Sequence, residues 1–162
     1  MGRGRGPEST TARAALDLLL LLRFPASPEA AFAARHAVGG LSPYLEAQVL
    51  ADAQLLVSEL VSNAVRHAGL SCRDGIELCL RASPTALMVE VADRGRGFGE
   101  RRPPHHGPAE PGFEDPSGWG LFLVEQLASS WGITEGTEVR VWFELRPGAR
   151  LATERDVEAI QV

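Results

Sequence analysis

The sequence is poor in several features, and each shortage removes a class of protein. Two cysteines, Cys72 and Cys79, are too few for a disulfide framework, and they lack the C-x-x-C spacing of a zinc site. They read as free thiols of a reducing compartment. The longest apolar run, Leu18 to Leu22, falls far short of the ~20 residues needed to cross a bilayer. No signal peptide fits, because Pro7, Glu8 and Asp17 interrupt the N-terminal region. A cytoplasmic protein without a membrane partner is therefore expected. Excess positive charge is absent too. The formal net charge is −5 and the only basic cluster is Arg3 with Arg5, so a nucleic-acid binder working through a broad basic surface is excluded. There are no internal repeats.

What remains is the composition of one globular domain. In 162 residues, 44% are hydrophobic and 23% charged, enough for a sizeable core. Residues 1–14 read as a flexible N-terminus. "ALDLLLLLRF" (15–24), stopped by Pro25, reads as a strand. "SPEAAFAARHAVGG" opens with Ser27-Pro28 and closes on Gly39-Gly40, which predicts a helix over 28–38. Ser42-Pro43 and Gly69 bracket a second helical stretch, one long helix or two short ones, surest from Leu50. "GIELCLRAS" (75–83) and "ALMVEVAD" (86–93) alternate as strands around the turn Ser83-Pro84-Thr85. Residues 94–117, with five prolines, form a loop long enough to be a lid or binding loop. "SGWGLFLVEQLASSWG" (117–132) reads as a helix and "TEVRVWFEL" (137–145) as a last strand, with a tail over 146–162. The expected fold is an α+β two-layer sandwich, with helices on one face of a mixed, mostly antiparallel sheet.

Three stretches carry chemistry. In "SELVSNAVRHA" (58–68), Glu59, Asn63 and His67 step along the second helix beside the apolar arc of Val57, Leu60, Val61, Ala64 and Ala68. Glu59 alone would be an ordinary solvated carboxylate. Its i+4 neighbour, however, is Asn63 rather than a pairing Lys or Arg. An amide oxygen can ligate Mg²⁺, and a carboxylate one turn away can orient a hydroxyl or water. In "DRGRGFG" (93–99), Asp93 ends a strand and is followed by glycines at alternate positions, leaving open backbone beside an acceptor for an amino group. An ordinary Gly-rich turn is the equal alternative. In "GWGLFLVEQL" (118–127), two glycines at a helix start offer free N–H groups to an anion, or simply form a hinge.

Each stretch is weak alone. Together and in this order, "ELVSNAVRHA", "DRGRG" and "GWGL" resemble the N box and two glycine boxes of the GHKL (Bergerat-fold) ATPases. That superfamily includes gyrase, MutL, the ninety-kilodalton heat-shock chaperone, histidine kinases and anti-sigma serine kinases. The small single-domain RsbW/SpoIIAB-like anti-sigma factors of the actinobacterial branch are the most similar, over about residues 15–145. The resemblance implies ATP and Mg²⁺ as cofactors. Glu59 would be the general base and Asn63 the Mg²⁺ ligand, with Arg66 a phosphate-contacting cation or a solvated arginine. Asp93 would bind adenine. Gly95 and Gly97 would form the first glycine box, and Gly118, Gly120 and Leu121 the second. Thr137 would lie near adenine, and residues 98–117 would be the ATP lid. No Walker lysine motif is present, and none is expected on this fold.

Other candidates carry less. His105-His106 have no partners at ligand spacing. Trp119, Trp131 and Trp142 suit packing, and His36 lacks the surroundings of a phosphoacceptor. Too little chain precedes the N box for the dimerisation hairpin of a free-standing histidine kinase. Two functions follow from the resemblance. One is a serine/threonine kinase that phosphorylates an anti-anti-sigma (STAS-domain) partner and otherwise sequesters a sigma factor. The other is a catalytically silent, nucleotide-gated partner-binding module. A plain structural α+β domain is a third, weaker option. Members of the family often dimerise, so a homodimer belongs among the expectations, although no stretch identifies its surface.

Overall fold

The computed structural model describes residues 18–67, 74–95 and 119–147. The expectations for the N-terminus, Cys72, Gly97, the lid, His105-His106, Gly118 and the tail from residue 148 lie outside them. The described residues form five strands and three helices: β1 (Leu18–Pro25), α1 (Ala30–Gly39), α2 (Ala47–His67), β2 (Gly75–Ala82), β3 (Leu87–Asp93), α3 (Trp119–Leu127), β4 (Ser130–Glu135) and β5 (Val139–Leu145).

The strands make one sheet in the order β1-β2-β3-β5-β4, and every pairing is antiparallel. Alternation decides which face is covered. On β2, Ile76, Leu78, Leu80 and Ala82 are buried while the residues between them are not. On β5, Val139, Val141, Phe143 and Leu145 do the same. The helices lie over that face. α2 contributes Leu56, Val57, Leu60, Val61 and Ala64 to the core, as its apolar arc requires, and α1 adds Ala30, Ala34 and Val38. The β2–β3 turn closes on Ser83, whose N–H donates to the Ala86 carbonyl at 2.9 Å and whose Oγ accepts the Ala86 N–H at 3.1 Å.

The α+β layout is the expected one, with three differences. First, β4 occupies residues read as the end of the last helix. That helix stops at Leu127, and the Ser129 N–H donates instead to the Glu144 carbonyl at 2.8 Å, starting the edge strand. β4 forms because β5 supplies a ladder, from Ser130 opposite Glu144 to Glu135 opposite Val139. Trp131 Nε1 also donates to Glu125, which braces the helix-to-strand corner. Second, α2 is a single helix that begins at Ala47. The Ser42-Pro43 pair lies in a preceding turn, in which the Tyr44 N–H donates to the Leu41 carbonyl at 2.9 Å. Third, α1 begins at Ala30 without a side-chain cap. The backbone carbonyl of Ser27, not its hydroxyl, accepts the Ala30 N–H at 3.0 Å.

Candidate functional site

The site is set by the crossing of α2 and α3. Glu59 and Asn63 are half-buried on α2, just off the arc that meets the sheet. Gly120, in the first turn of α3, is buried against them. A Cβ built on Gly120 would collide with Asn63 Nδ2 and lie 3.5 Å from Glu59 Cβ. Glycine is needed here for close approach of the two helices. The contact brings together residues more than fifty positions apart: the carboxylate and the amide of α2 and the helix start of α3.

Asn63 Oδ1 is buried and accepts no hydrogen bond among the described residues. Buried amide oxygens are nearly always satisfied, and an orphan acceptor costs folding free energy. An unpaired amide oxygen one helical turn from a carboxylate is the kind of donor that a hard cation such as Mg²⁺ takes. Among the described residues, no group of three or more His, Cys, Asp and Glu is arranged to hold a metal by itself. That is compatible with a Mg²⁺ held by one protein oxygen and substrate phosphates.

Asp93 is the last residue of β3 and pairs with Val139, the first of β5. Strand alternation places it on the same face as Val89 and Val91, under the helices. Its Oδ1 accepts the Gly95 N–H at 2.7 Å, which folds the chain into a turn directly after the strand. Burial raises its pKa above the ordinary aspartate range, and the Gly95 hydrogen bond opposes this only in part. A desolvated acceptor at a strand end is suited to a neutral amino group.

The remaining candidates are placed as follows. Leu121 is half-buried and packs on the core. Arg66 is exposed, and its Nε donates to the Ser62 carbonyl at 3.3 Å. Thr137 is exposed in the β4–β5 turn, two residues before the partner of Asp93.

The histidine kinase-like ATPase domain matches residues 24–143 of the chain, most of its length. The chain belongs to this family. The match runs from the end of β1 through Phe143 of β5 and so includes α2, β3 and α3, which carry the candidate residues. The chain is 33% identical over 117 residues to the serine-protein kinase RsbW of Listeria innocua, covering 67% of this chain and 74% of that one. It is 31% identical over 116 residues to the RsbW of Oceanobacillus iheyensis, covering 65% and 72%. Its fold matches the crystal structure of the RsbU and RsbW domains of a Mycobacterium tuberculosis protein with a TM-score of 0.60 at 22% identity. That match covers 84% of this chain and about a third (35%) of the larger one. The RsbW-like branch of the GHKL ATPases, read from the three boxes, is thus the branch its relatives occupy.

A charged cluster at the adjoining ends of β3 and β5 is not apparent in the sequence. Arg140 donates to Glu90 at 2.7 Å and to Glu138 at 2.8 Å, and Arg94 Nε donates to Glu138 at 3.2 Å. The sequence holds one hint, alternating charges at the adjoining ends of two strands. Only the β3–β5 register brings them together.

Proposed function

We propose that the chain is an anti-sigma factor serine/threonine kinase, which binds Mg-ATP and phosphorylates an anti-anti-sigma (STAS-domain) protein in the cytoplasm. The observation that carries this reading is the contact of Glu59, Asn63 and Gly120, with the Asn63 amide oxygen buried and without a partner among the described residues. The RsbW relatives are serine-protein kinases by name, which supports the same chemistry here.

On this reading each residue has one task. The Asp93 carboxylate accepts a hydrogen bond from the adenine amino group, in a turn shaped by Gly95. Gly95 and Gly97 would form the first glycine box, and Gly118, Gly120 and Leu121 the second, whose backbone N–H groups would face the phosphates. The exposed Arg66 would add a cation, Thr137 would lie near adenine, and residues 98–117 would serve as the ATP lid. Asn63 Oδ1 would hold Mg²⁺, which would supply charge neutralisation on the phosphates. Glu59 accepts the proton of the acceptor serine or threonine hydroxyl as its oxygen bonds to the γ-phosphorus and the bond to the β-phosphate oxygen breaks. Between phosphorylation events the same protein would bind a sigma factor, as a homodimer.

The test is phosphate transfer from γ-labelled ATP to a STAS-domain protein. Transfer by the wild type, its loss in Glu59→Ala, and ATP binding retained in that variant are expected. A wild type that binds ATP and the partner but transfers nothing would make the chain a nucleotide-gated binding module instead.

A further inference from the structure

The ion cluster at the ends of β3 and β5 lies on the sheet face opposite the helices. Along β3, Leu87, Val89, Val91 and Asp93 share the helix-covered face, and Glu90 belongs to the other. Along β5, Arg140 alternates with the buried Val139 and Val141. Arg94 follows Asp93, and Glu138 precedes the Val139 that pairs with Asp93. Glu138 therefore reaches across the strand ends at the site of the Asp93 turn. Its Oε1 accepts from Arg94 Nε at 3.2 Å, and its Oε2 from Arg140 Nη2 at 2.8 Å. Arg140 is anchored in turn by Glu90 on β3 at 2.7 Å.

We propose that Glu138 is a positioning residue for nucleotide binding, which holds Arg94 and so fixes the Asp93–Arg94–Gly95 turn in the form that presents Asp93 to adenine. The inference rests on the adenine-binding reading of Asp93. Arg94 sits between Asp93, which accepts the turn's hydrogen bond, and Gly95, which donates it. Its backbone cannot swing without moving one of the two. The Arg94 side chain is 70% exposed, whereas that of Glu138 is 19% exposed and gripped by the anchored Arg140. Glu138 is thus the fixed end of the tether and Arg94 the end it restrains. Exposed ion pairs add little to global stability, so the effect of the tether falls on the local geometry of the turn.

The experiment measures Mg-ATP affinity by calorimetry, melting temperature, and hydrogen exchange at the Gly95 amide in the full chain. The variants are Glu138→Gln, Arg94→Gln, the double variant and Asp93→Asn. Each single tether variant is expected to weaken ATP binding about three- to fivefold, the range an ion pair of this exposure can supply. The double variant should be no weaker than either single one. Exchange at Gly95 should rise, and the melting temperature should stay within about 2 °C of wild type. Wild-type affinity and wild-type Gly95 exchange in Glu138→Gln, with binding lost in Asp93→Asn, would overturn the tether and leave the adenine site standing. Wild-type binding in Asp93→Asn would remove the adenine reading and the tether with it. A loss of affinity that tracks a large drop in melting temperature would make Glu138 merely structural.

Discussion

The backbone of Gly120 and the amide of Asn63 occupy adjoining space, with no room between them for one additional carbon. Gly120→Ala would therefore push the Asn63 side chain out of its position. The expected result is Mg-ATP binding weakened about ten- to hundredfold, the range seen when the support of a metal ligand is disturbed. Stability should fall by about 1–3 kcal/mol from overpacking. In Gly120→Ala combined with Asn63→Ala the stability should recover and the binding should not. Calorimetry and urea titration on the three variants check both parts.

Asn63 itself should separate folding from binding. Its Oδ1 is buried without a hydrogen-bond partner among the described residues, so removing the amide relieves a cost while opening a small void. Asn63→Ala is expected to leave urea stability within about 1 kcal/mol of wild type. It should weaken Mg-ATP binding roughly tenfold or more, with ATP binding no longer responding to Mg²⁺.

Asp93 gives a pH dependence of known sign. Burial raises its folded-state pKa, so the ionised form opposes folding. The stability that protonated Asp93 contributes is fully present below the ordinary aspartate value of 3.8 and is lost as pH rises through the raised value. Asp93→Asn is therefore expected to melt higher than wild type at neutral pH without nucleotide, and the gap should close in acid below that ordinary value. ATP affinity should run the other way, weakening as acid protonates the acceptor. In the variant it should be weak and insensitive to pH over the same window. Melting curves and calorimetry across the window test both signs.

The two faces of the sheet should respond differently to truncation. Phe143 is fully buried under the helices, whereas Leu21 on β1 is 68% exposed on the other face. Phe143→Ala should cost about 3–5 kcal/mol. Leu21→Ala should stay within about 0.5 kcal/mol. Urea unfolding of the two variants decides.

Elements with their own periodicity were legible in the sequence. The arc of Val57, Leu60, Val61 and Ala64 marks α2, and the alternation of Ile76, Leu78 and Leu80 marks β2. β4 was not legible, because its short run from Ser130 to Glu135 holds only Trp131 and Ile133 as large apolar residues and directly follows a helical pattern. It is a strand only through its pairing with β5. The start of α2 was misplaced because Ser42-Pro43 imitates a helix cap, while the Leu41–Tyr44 turn holds those residues outside the helix. In the site, Glu59 and Asn63 could be placed on one helix face from spacing alone. Their contact with Gly120 depends on how α2 and α3 cross. The Glu138 cluster depends on strand register, which no local pattern encodes.

The most direct measurement is calorimetric titration of the protein with ATP, with and without Mg²⁺, repeated on Asp93→Asn. Tight binding that requires Mg²⁺ and is lost in the variant is the expected result. Absence of binding by the wild type, or equal binding by Asp93→Asn, would contradict a nucleotide site built from Asp93, Asn63 and the glycine-opened helix.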